Sequence, residues 1–409
     1  MKINFTLFIL LCAFHASSQK CATVDYLKDN SHKSLNPLTT PVGPSGSRDT
    51  LASEIIVIPV VVHVLYNNAA QNISDDQVLS QIASLNADYR RSNADAVNTP
   101  EPFAQIAADT KIMFSLSKTD ADGHSTTGII RKFTQEQFWQ SDDAMKFTSK
   151  GGDDAWDSKK YLNIWVCNLF GQTLGYSVMP GGPAERDGVV IKYNAFGTTG
   201  DLNSEFNKGR TATHEIGHWL GLQHLWGDAS CGDDGIGDTP PQQSNNSYCP
   251  SFPRTSACSI NSFGDMFMDY MDFTDDECMN MFTIDQRNEM RSQFALGHPR
   301  NTILNSAAID SALIQPAPLP ADTTANQFKI SIFPNPFASQ ITINSGNTID
   351  LIGKKIKLYD GTGKMYLQQT LQSQKTTIPL YKMPAGVYFL KIDGVKNPSV
   401  FKLVKQGNY

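Results

Sequence analysis

Over its first three quarters the chain alternates long apolar runs with stretches of helical spacing; its last quarter holds short alternating segments. Ile55–Tyr66 (IIVIPVVVHVLY) is an almost unbroken β-branched run and reads as a buried strand. Pro59 inside it points to an edge or a bulge, because proline has no N–H to give to a ladder. A helix follows. Ser74 and Gln77 have capping-box spacing, and Val78, Ile82, Leu85 and Tyr89 recur at helical intervals. Lys111–Ser117 and Tyr161–Leu169 read as further strands, and Val189–Tyr193 as a short one just before a second helix. Strands and helices mixed in this way predict an α+β domain, a mixed sheet with helices against it, over residues 55–314. Residues 19–54 are polar, rich in Pro, Ser and Thr, and without a period, so they read as a loop-like leader. Residues 315–326 (beginning QPAPLPADTTA) are a linker. Beyond them, about six or seven short strands in roughly 80 residues, with a hairpin signal at Asp360-Gly361, predict a small Ig-like β-sandwich over residues 327–409.

The N-terminus changes the compartment. Lys2 precedes the apolar run Phe5–Phe14, and Ala16 and Ser18 are small residues at the spacing of a signal cleavage site, so residues 1–18 are expected to be removed. Cys12 leaves a lipoprotein alternative, although Leu11 is bulky where a small residue belongs. No other stretch reaches the roughly 18 apolar residues of a membrane span. The mature protein is expected outside the cytoplasm, secreted and soluble, where disulfides persist. Residues 19–54, between a signal and a strong strand, then suggest a propeptide; a flexible leader is the plainer alternative.

Charge is uneven. From Phe328 onward there are eleven lysines and three aspartates with no arginine or glutamate, so this part carries +8 and, against a total of −6, the remainder carries −14. An acidic body without a basic, aromatic-studded stripe does not suit nucleic acid. Asp120-Ala-Asp122-Gly123 has only the start of a calcium loop and reads as a turn.

The chemistry concentrates in HEIGHWLGLQH, His214–His224. Residues four apart on a helix share a face, so His214 and His218 can aim at one ion. Gly221 allows a left-handed exit from the helix, and the returning chain brings His224 as a third ligand. Three neutral imidazoles leave one tetrahedral corner open for water, as in catalytic zinc sites. Glu215 is placed to act as general base on that water, which zinc would acidify, in an attack on a peptide carbonyl. The alternative is a zinc-stabilised extracellular binding or adhesion protein with no turnover.

These residues resemble the metzincin clan, with its HExxHxxGxxH motif and later Met-turn. The segment Asp265–Thr283 offers two registers, Met268 or Met271. Its continuation TDDECMNMFT resembles the pappalysin-like family and selects Met271, which the resemblance places as an apolar floor under the histidines. The resemblance spans about residues 55–297. It implies a metzincin-like catalytic domain with a twisted sheet, an active-site helix and an irregular C-terminal subdomain, acting as a zinc endopeptidase on proteins or peptides. One departure is plain. The family has a tyrosine two residues after the Met, thought to aid the transition state; here that position is Phe273, with Tyr270 one register out.

Seven cysteines occur, at 12, 21, 167, 231, 249, 258 and 278. The last four are not CxxC pairs and should form two disulfides, for which sequence alone permits three pairings. The family resemblance favours Cys231–Cys258 and Cys249–Cys278. Cys167 reads as a buried free thiol. KCATVDYL around Cys21 resembles the propeptide of bacterial relatives, where a cysteine caps the zinc; a leftover thiol is the alternative. CGDDGIGDTPPQ resembles the family's calcium loop and suggests Asp234, Asp238 and Thr239 as oxygen ligands, against an acidic surface turn. The residue after the Met-turn cysteine lines the S1′ pocket in the family, where an acid suits arginine substrates. Here it is Met279, pointing to a less charged pocket, with Asp276 and Glu277 nearby. Arg48 is an exposed candidate for propeptide cleavage. Finally, PNPF (Pro334–Phe337), MPAGVYFLKI (Met383–Ile392) and the lysine-rich FKLVKQ resemble the type A sorting domain of type IX secretion. That implies the outer-membrane secretion machinery as a partner.

Overall fold

Strand β1 (Ile56–Tyr66) is the spine of a six-stranded sheet in the computed structural model, flanked on both sides along most of its length. The structure describes residues 21–30, 54–259, 263–306, 308, 330–333, 337–345, 351–360, 364–381, 383–393 and 400–405. The expected signal peptide, the leader from 31 to 53 with Arg48, the linker at 315–326 and the prolines of PNPF lie outside these residues. The chain divides into two units, Met1–Gln315 and Pro316–Tyr409.

In the first unit β2 (Ile112–Leu116) pairs with the first half of β1 and β3 (Ile129–Phe133) with its second half, both parallel. On the other side come β4 (Leu162–Cys167) and β6 (Val189–Lys192), again parallel, and then β5 (Gly175–Ser177), antiparallel to β6 and at the edge. Alternation along β1 sends Ile58, Val60, Val62 and Val64 to one face, where they pack with helices α2 (Asp75–Tyr89) and α3 (Arg210–Trp219). Leu65, Trp165 and Val190 face the other side and pack with Tyr176 and the leader's Tyr26. Both faces are covered, which is why β1 reads as a continuous apolar run rather than an alternating one.

Several sequence expectations need correcting. Pro59 does not mark an edge. Ile56 and Val62 send their N–H groups towards the β2 and β3 side, so Pro59 faces β4, whose pairing begins only at Val60. The missing donor therefore interrupts no ladder. Thr23–Asn30 in the leader is an α-helix, α1, not a loop. The Ser74 cap is half a capping box: Ser74 Oγ accepts from Gln77 N, but the Gln77 side chain donates to the carbonyls of Tyr193 and Phe196 at 3.1 and 2.8 Å. A complete box opens helix α4 (Ile284–Ser292), between Thr283 and Gln286.

The second unit is β-rich. A four-stranded sheet runs in the order β10 (Met365–Thr370), β9 (Lys355–Asp360), β12 (Gly386–Ile392), β13 (Val400–Lys405). A three-stranded sheet joins β11 (Lys375–Pro379), β8 (Gln340–Asn344) and β7 (Ser331–Phe333). Alternate residues of both, among them Ile341, Ile343, Ile356, Leu358 and Leu390, meet in one apolar core.

The C-terminal end of α3 is fixed by a buried clasp. Arg300 lies 3.8 Å over the Trp219 ring and donates to the Trp219 carbonyl, which the helix leaves without an intrahelical partner. Its guanidinium pairs with Asp187, which also accepts from Trp219 Nε1 at 2.9 Å. Arg300→Ala would leave the Asp187 carboxylate buried without its cation. It is expected to lower unfolding free energy by about 3–5 kcal/mol in urea titration; a loss below about 1 kcal/mol would show that the clasp does not hold this corner.

Candidate metal centre

Helix α3 begins after Gly209, in the left-handed region at φ 75°, and its first turn is capped from a distance. The buried Asp276 carboxylate accepts from the N–H groups of Lys208 and Arg210 at 2.8 and 3.2 Å. Burial pushes the Asp276 carboxyl up to about 6, against those hydrogen bonds. At the other end Gly221 (φ 97°) turns the chain out, and Leu222 N bonds back to the Gly217 carbonyl at 3.0 Å. This turn returns His224 to the face that carries His214 and His218.

The three Nε2 atoms converge. They lie 3.1 Å apart for His214–His218, 3.1 Å for His218–His224 and 3.3 Å for His214–His224. Metal–nitrogen bonds of about 2.0–2.1 Å in a tetrahedral arrangement require such spacings, so the residues fit a zinc ion. Each Nδ1 faces an acceptor: the Tyr270 carbonyl for His214 and the Leu222 carbonyl for His218, both at 2.7 Å, and Asp228 Oδ1 for His224 at 2.5 Å. Those acceptors keep the proton on Nδ1 and aim the Nε2 lone pairs inward. Burial, then the neighbouring His224 and His214, pushes the His218 pKa well down, which favours the neutral ligand form. Trp226 stacks on the His224 ring at 4.5 Å and 4°. Met271 lies beneath the helix, where a Cβ on Gly217 would come within 2.5 Å of its Sδ; glycine is what lets the Met approach.

Glu215 is buried beside the cluster, under Gly175 of the edge strand β5. Burial pushes its carboxyl up to about 8, while hydrogen bonds from Cys21 and Thr23 pull it down. Thr23 Oγ1 donates to Glu215 Oε2 at 3.0 Å, and Cys21 Sγ stands 3.6 Å from the same oxygen. The Cys21 sulfur and the ligand nitrogens of His214, His218 and His224 all lie within 4.8 Å of one another. Burial, then the Glu215 charge, raises the Cys21 thiol pKa. A cation in the cluster would oppose both and favour the thiolate.

A recess opens beside His214 and Glu215, with Leu174, Phe206, Phe273 and Met279 among its walls. Asp272 and Asp276 also border it, but their carboxylates already accept hydrogen bonds from Asn246 and Gln242 and from the start of α3. Phe273 packs edge-on against His224 at 4.8 Å. Tyr270 is fully buried with its hydroxyl on Asp88 Oδ1 at 2.9 Å, so it does not present that hydroxyl to the metal position.

Among the proposed calcium residues, Asp234 and Thr239 meet, the Thr239 hydroxyl donating to the Asp234 carboxylate at 2.9 and 3.0 Å. Asp238 turns elsewhere, accepting from the Thr283 hydroxyl and Asp285 N at the start of α4. Disulfides join Cys231 to Cys258 and Cys249 to Cys278, tying down the irregular segment between the two helices. Cys167 is a buried free thiol. Sequence reasoning missed Thr23, Asp228, Trp226 and the carbonyl of Tyr270. Asp228 and Trp226 could have been suspected from their places just after His224; the carbonyl carries no sequence signal.

The peptidase family M43 model, described as pregnancy-associated plasma protein-A, matches residues 147–295, and a secretion system C-terminal sorting domain matches residues 331–406. Extracellular metalloprotease 1 of Coccidioides posadasii is 30% identical over 253 residues, covering 58% of this chain and 77% of that protein. The solved structure of mature mirolysin from Tannerella forsythia, in complex with a cleaved peptide, is 48% identical, with a TM-score of 0.61 over 63% of this chain and 100% of that one. A mutant of promirolysin from the same organism is 50% identical, with a TM-score of 0.61, covering 62% and 85% of the two chains. A chain with this helix, this trio of imidazoles and relatives this similar belongs to the M43 family of metalloproteases, the family of pregnancy-associated plasma protein-A, and carries a secretion sorting domain at its C-terminal end.

Proposed function

We propose that the chain is a zinc-dependent endopeptidase of extracellular proteins or peptides, made as a latent precursor and secreted. The observation that carries this is the convergence of three imidazole Nε2 atoms beside a buried carboxylate, with a leader thiol at the fourth corner. Zinc held by His214, His218 and His224 would polarise a peptide carbonyl and acidify a water. Glu215 takes the proton of that water at Oε2 and later delivers it to the leaving amide nitrogen. In the latent form Oε2 is already engaged by Thr23 and Cys21, so the base is blocked as well as the metal position. Met279 and its neighbours form the S1′ pocket in this reading, and a pocket whose acids are already hydrogen-bonded favours an uncharged side chain.

The same reading gives each segment a task. Residues 1–18 direct export, 19–54 keep the enzyme latent, 55–314 are catalytic, 315–326 link, and 327–409, an Ig-like sandwich, engage the outer-membrane secretion machinery. Calcium is kept as a structural ion of the loop at Asp234, Asp238 and Thr239, whose oxygens suit it. It would have to take Asp234 from Thr239 and Asp238 from α4. The complete set of ligands and base disfavours a binding protein without turnover.

Glu215→Gln should retain one zinc per chain by elemental analysis yet lose about 10²–10⁴-fold in kcat/KM on a quenched-fluorescent peptide; near-wild-type turnover would remove Glu215 from the reaction. Cys21→Ala should raise the activity of the unprocessed chain on that peptide, and the double variant with Thr23→Val should raise it further; undiminished latency in the double variant would remove both contacts as its cause. Deletion of residues 327–409 should strand the enzyme in the periplasm of its host, seen by fractionation and immunoblot. Undisturbed release into the medium would assign the domain another task.

A further inference from the structure

The leader does more than cover the metal position. Its backbone lies along the free edge of β5: Ala22 N donates to the Gly175 carbonyl at 3.0 Å, and Ser177 N donates to Thr23 Oγ1 at 3.0 Å. One turn further on, where Tyr26 N bonds to the Ala22 carbonyl, the Tyr26 side chain drops onto the opposite face of the sheet from α3. There it is 4% exposed, its ring centroid 5.2 Å from that of Tyr176. Its hydroxyl donates to Asp143 Oδ2 at 2.7 Å.

The seat beneath Tyr26 is built from charged groups that the peptidase chemistry does not use. Asp143 is 1% exposed and Lys146 is fully buried. Lys146 Nζ pairs with Asp143 Oδ1 at 2.8 Å and donates to the Arg186 carbonyl at 2.8 Å. Tyr176 also donates its hydroxyl to Oδ1, at 3.0 Å, and Arg186 Nη1 lies 3.7 Å from Oδ2. The Lys146 ammonium stands 5.0 Å from the centroid of Tyr176, 5.2 Å from that of Trp165 and 5.7 Å from that of Tyr26. Burying an ion pair is costly, and here it holds one carboxylate oxygen ready for a donor arriving from the β5 edge.

We propose that this recess is a side-chain subsite of the processed enzyme that takes a tyrosine of a peptide substrate, and that Tyr26 occupies it in the latent chain. The inference rests on residues 19–54 being a leader that departs on activation. Departure takes away the phenol from Asp143 Oδ2 and uncovers the Tyr176 ring. The chemistry then selects the ligand. Lys146 and Arg186 repel a basic side chain, and Asp143 repels an acidic one. Phenylalanine fills the space but leaves the buried carboxylate oxygen without the donor that tyrosine supplies, which a site built around a hydroxyl rejects. A substrate backbone on β5, where Ala22 now lies, reaches the recess within a few residues of the scissile bond.

The test uses the processed enzyme and quenched-fluorescent peptides in which Tyr, Phe or Ala is moved through four positions on each side of the scissile bond. At one position Tyr should exceed Phe by at least about tenfold in kcat/KM. Asp143→Asn should erase that preference while the Ala peptide is still cut. A synthetic peptide of residues 19–30 should inhibit the wild-type enzyme about tenfold more weakly when it carries Tyr26→Phe; this comparison decides the matter if Asp143→Asn does not fold. Peptides cut with equal rates for Tyr and Phe everywhere, and equal inhibition by the two leader peptides, would remove the recess and leave the peptidase reading standing. No cleavage of any peptide would overturn both.

Discussion

The structure depends on three imidazoles whose outer nitrogens are each held by an acceptor. A helix alone brings His214 and His218 to one face, but it does not set their ring orientation. The Tyr270 and Leu222 carbonyls and the Asp228 carboxylate do that, at 2.7, 2.7 and 2.5 Å. Each of these acceptors is placed by a different device. Leu222 is delivered by the left-handed turn at Gly221, Asp228 by the loop after His224, and Tyr270 by the turn that carries Met271. The irregular segment after α3 is therefore part of the metal centre, and its two disulfides restrict a region with little regular structure of its own.

A second set of contacts ties α3 to the domain. Arg210, Thr213 and Tyr270 all reach the buried Asp88 of α2. Asp276 caps the start of the helix from the far side of the Met-turn. Polar groups this deep are costly unless satisfied; each carboxylate here accepts several donors, while Arg210 Nε is left without a hydrogen-bond partner. The arrangement makes the ligand helix rigid at both ends, which a site needing fixed nitrogens requires.

What the sequence made legible was local. The ligand motif, the Gly221 turn, the helix of Val78 to Tyr89 and the β-branched runs at 55–66 and 161–169 are all short-range patterns. The edge strand Gly175–Ser177 is three residues long and has no period to read. β3, with the sequence IIRKF, is half-exposed and lacks alternation. Helix α1 escaped because its stability comes from what it covers. Its sequence TVDYLKDN is polar, and its apolar contact is made by Tyr26 on a surface belonging to residues more than a hundred positions away. Pro59 misled because the rule about proline concerns which neighbour its nitrogen faces, and the sequence does not contain the register of β4.

Phe273 stands where the resemblance to the pappalysin-like family leads one to expect a tyrosine, and its own contacts are with aromatic rings. Its ring stands edge-on to both His224 at 4.8 Å and Trp226 at 5.0 Å, and Trp226 in turn lies flat on His224. His224 is the one ligand outside the helix, and so the one with least backbone support. An aromatic pair around it restricts the motion of the imidazole in a way that a hydroxyl reaching towards substrate would not. Tyr270 cannot restore the donor, since moving its hydroxyl would strip Asp88 of a partner and disturb the carbonyl that orients His214. Phe273 thus packs against the one ligand that the helix does not carry.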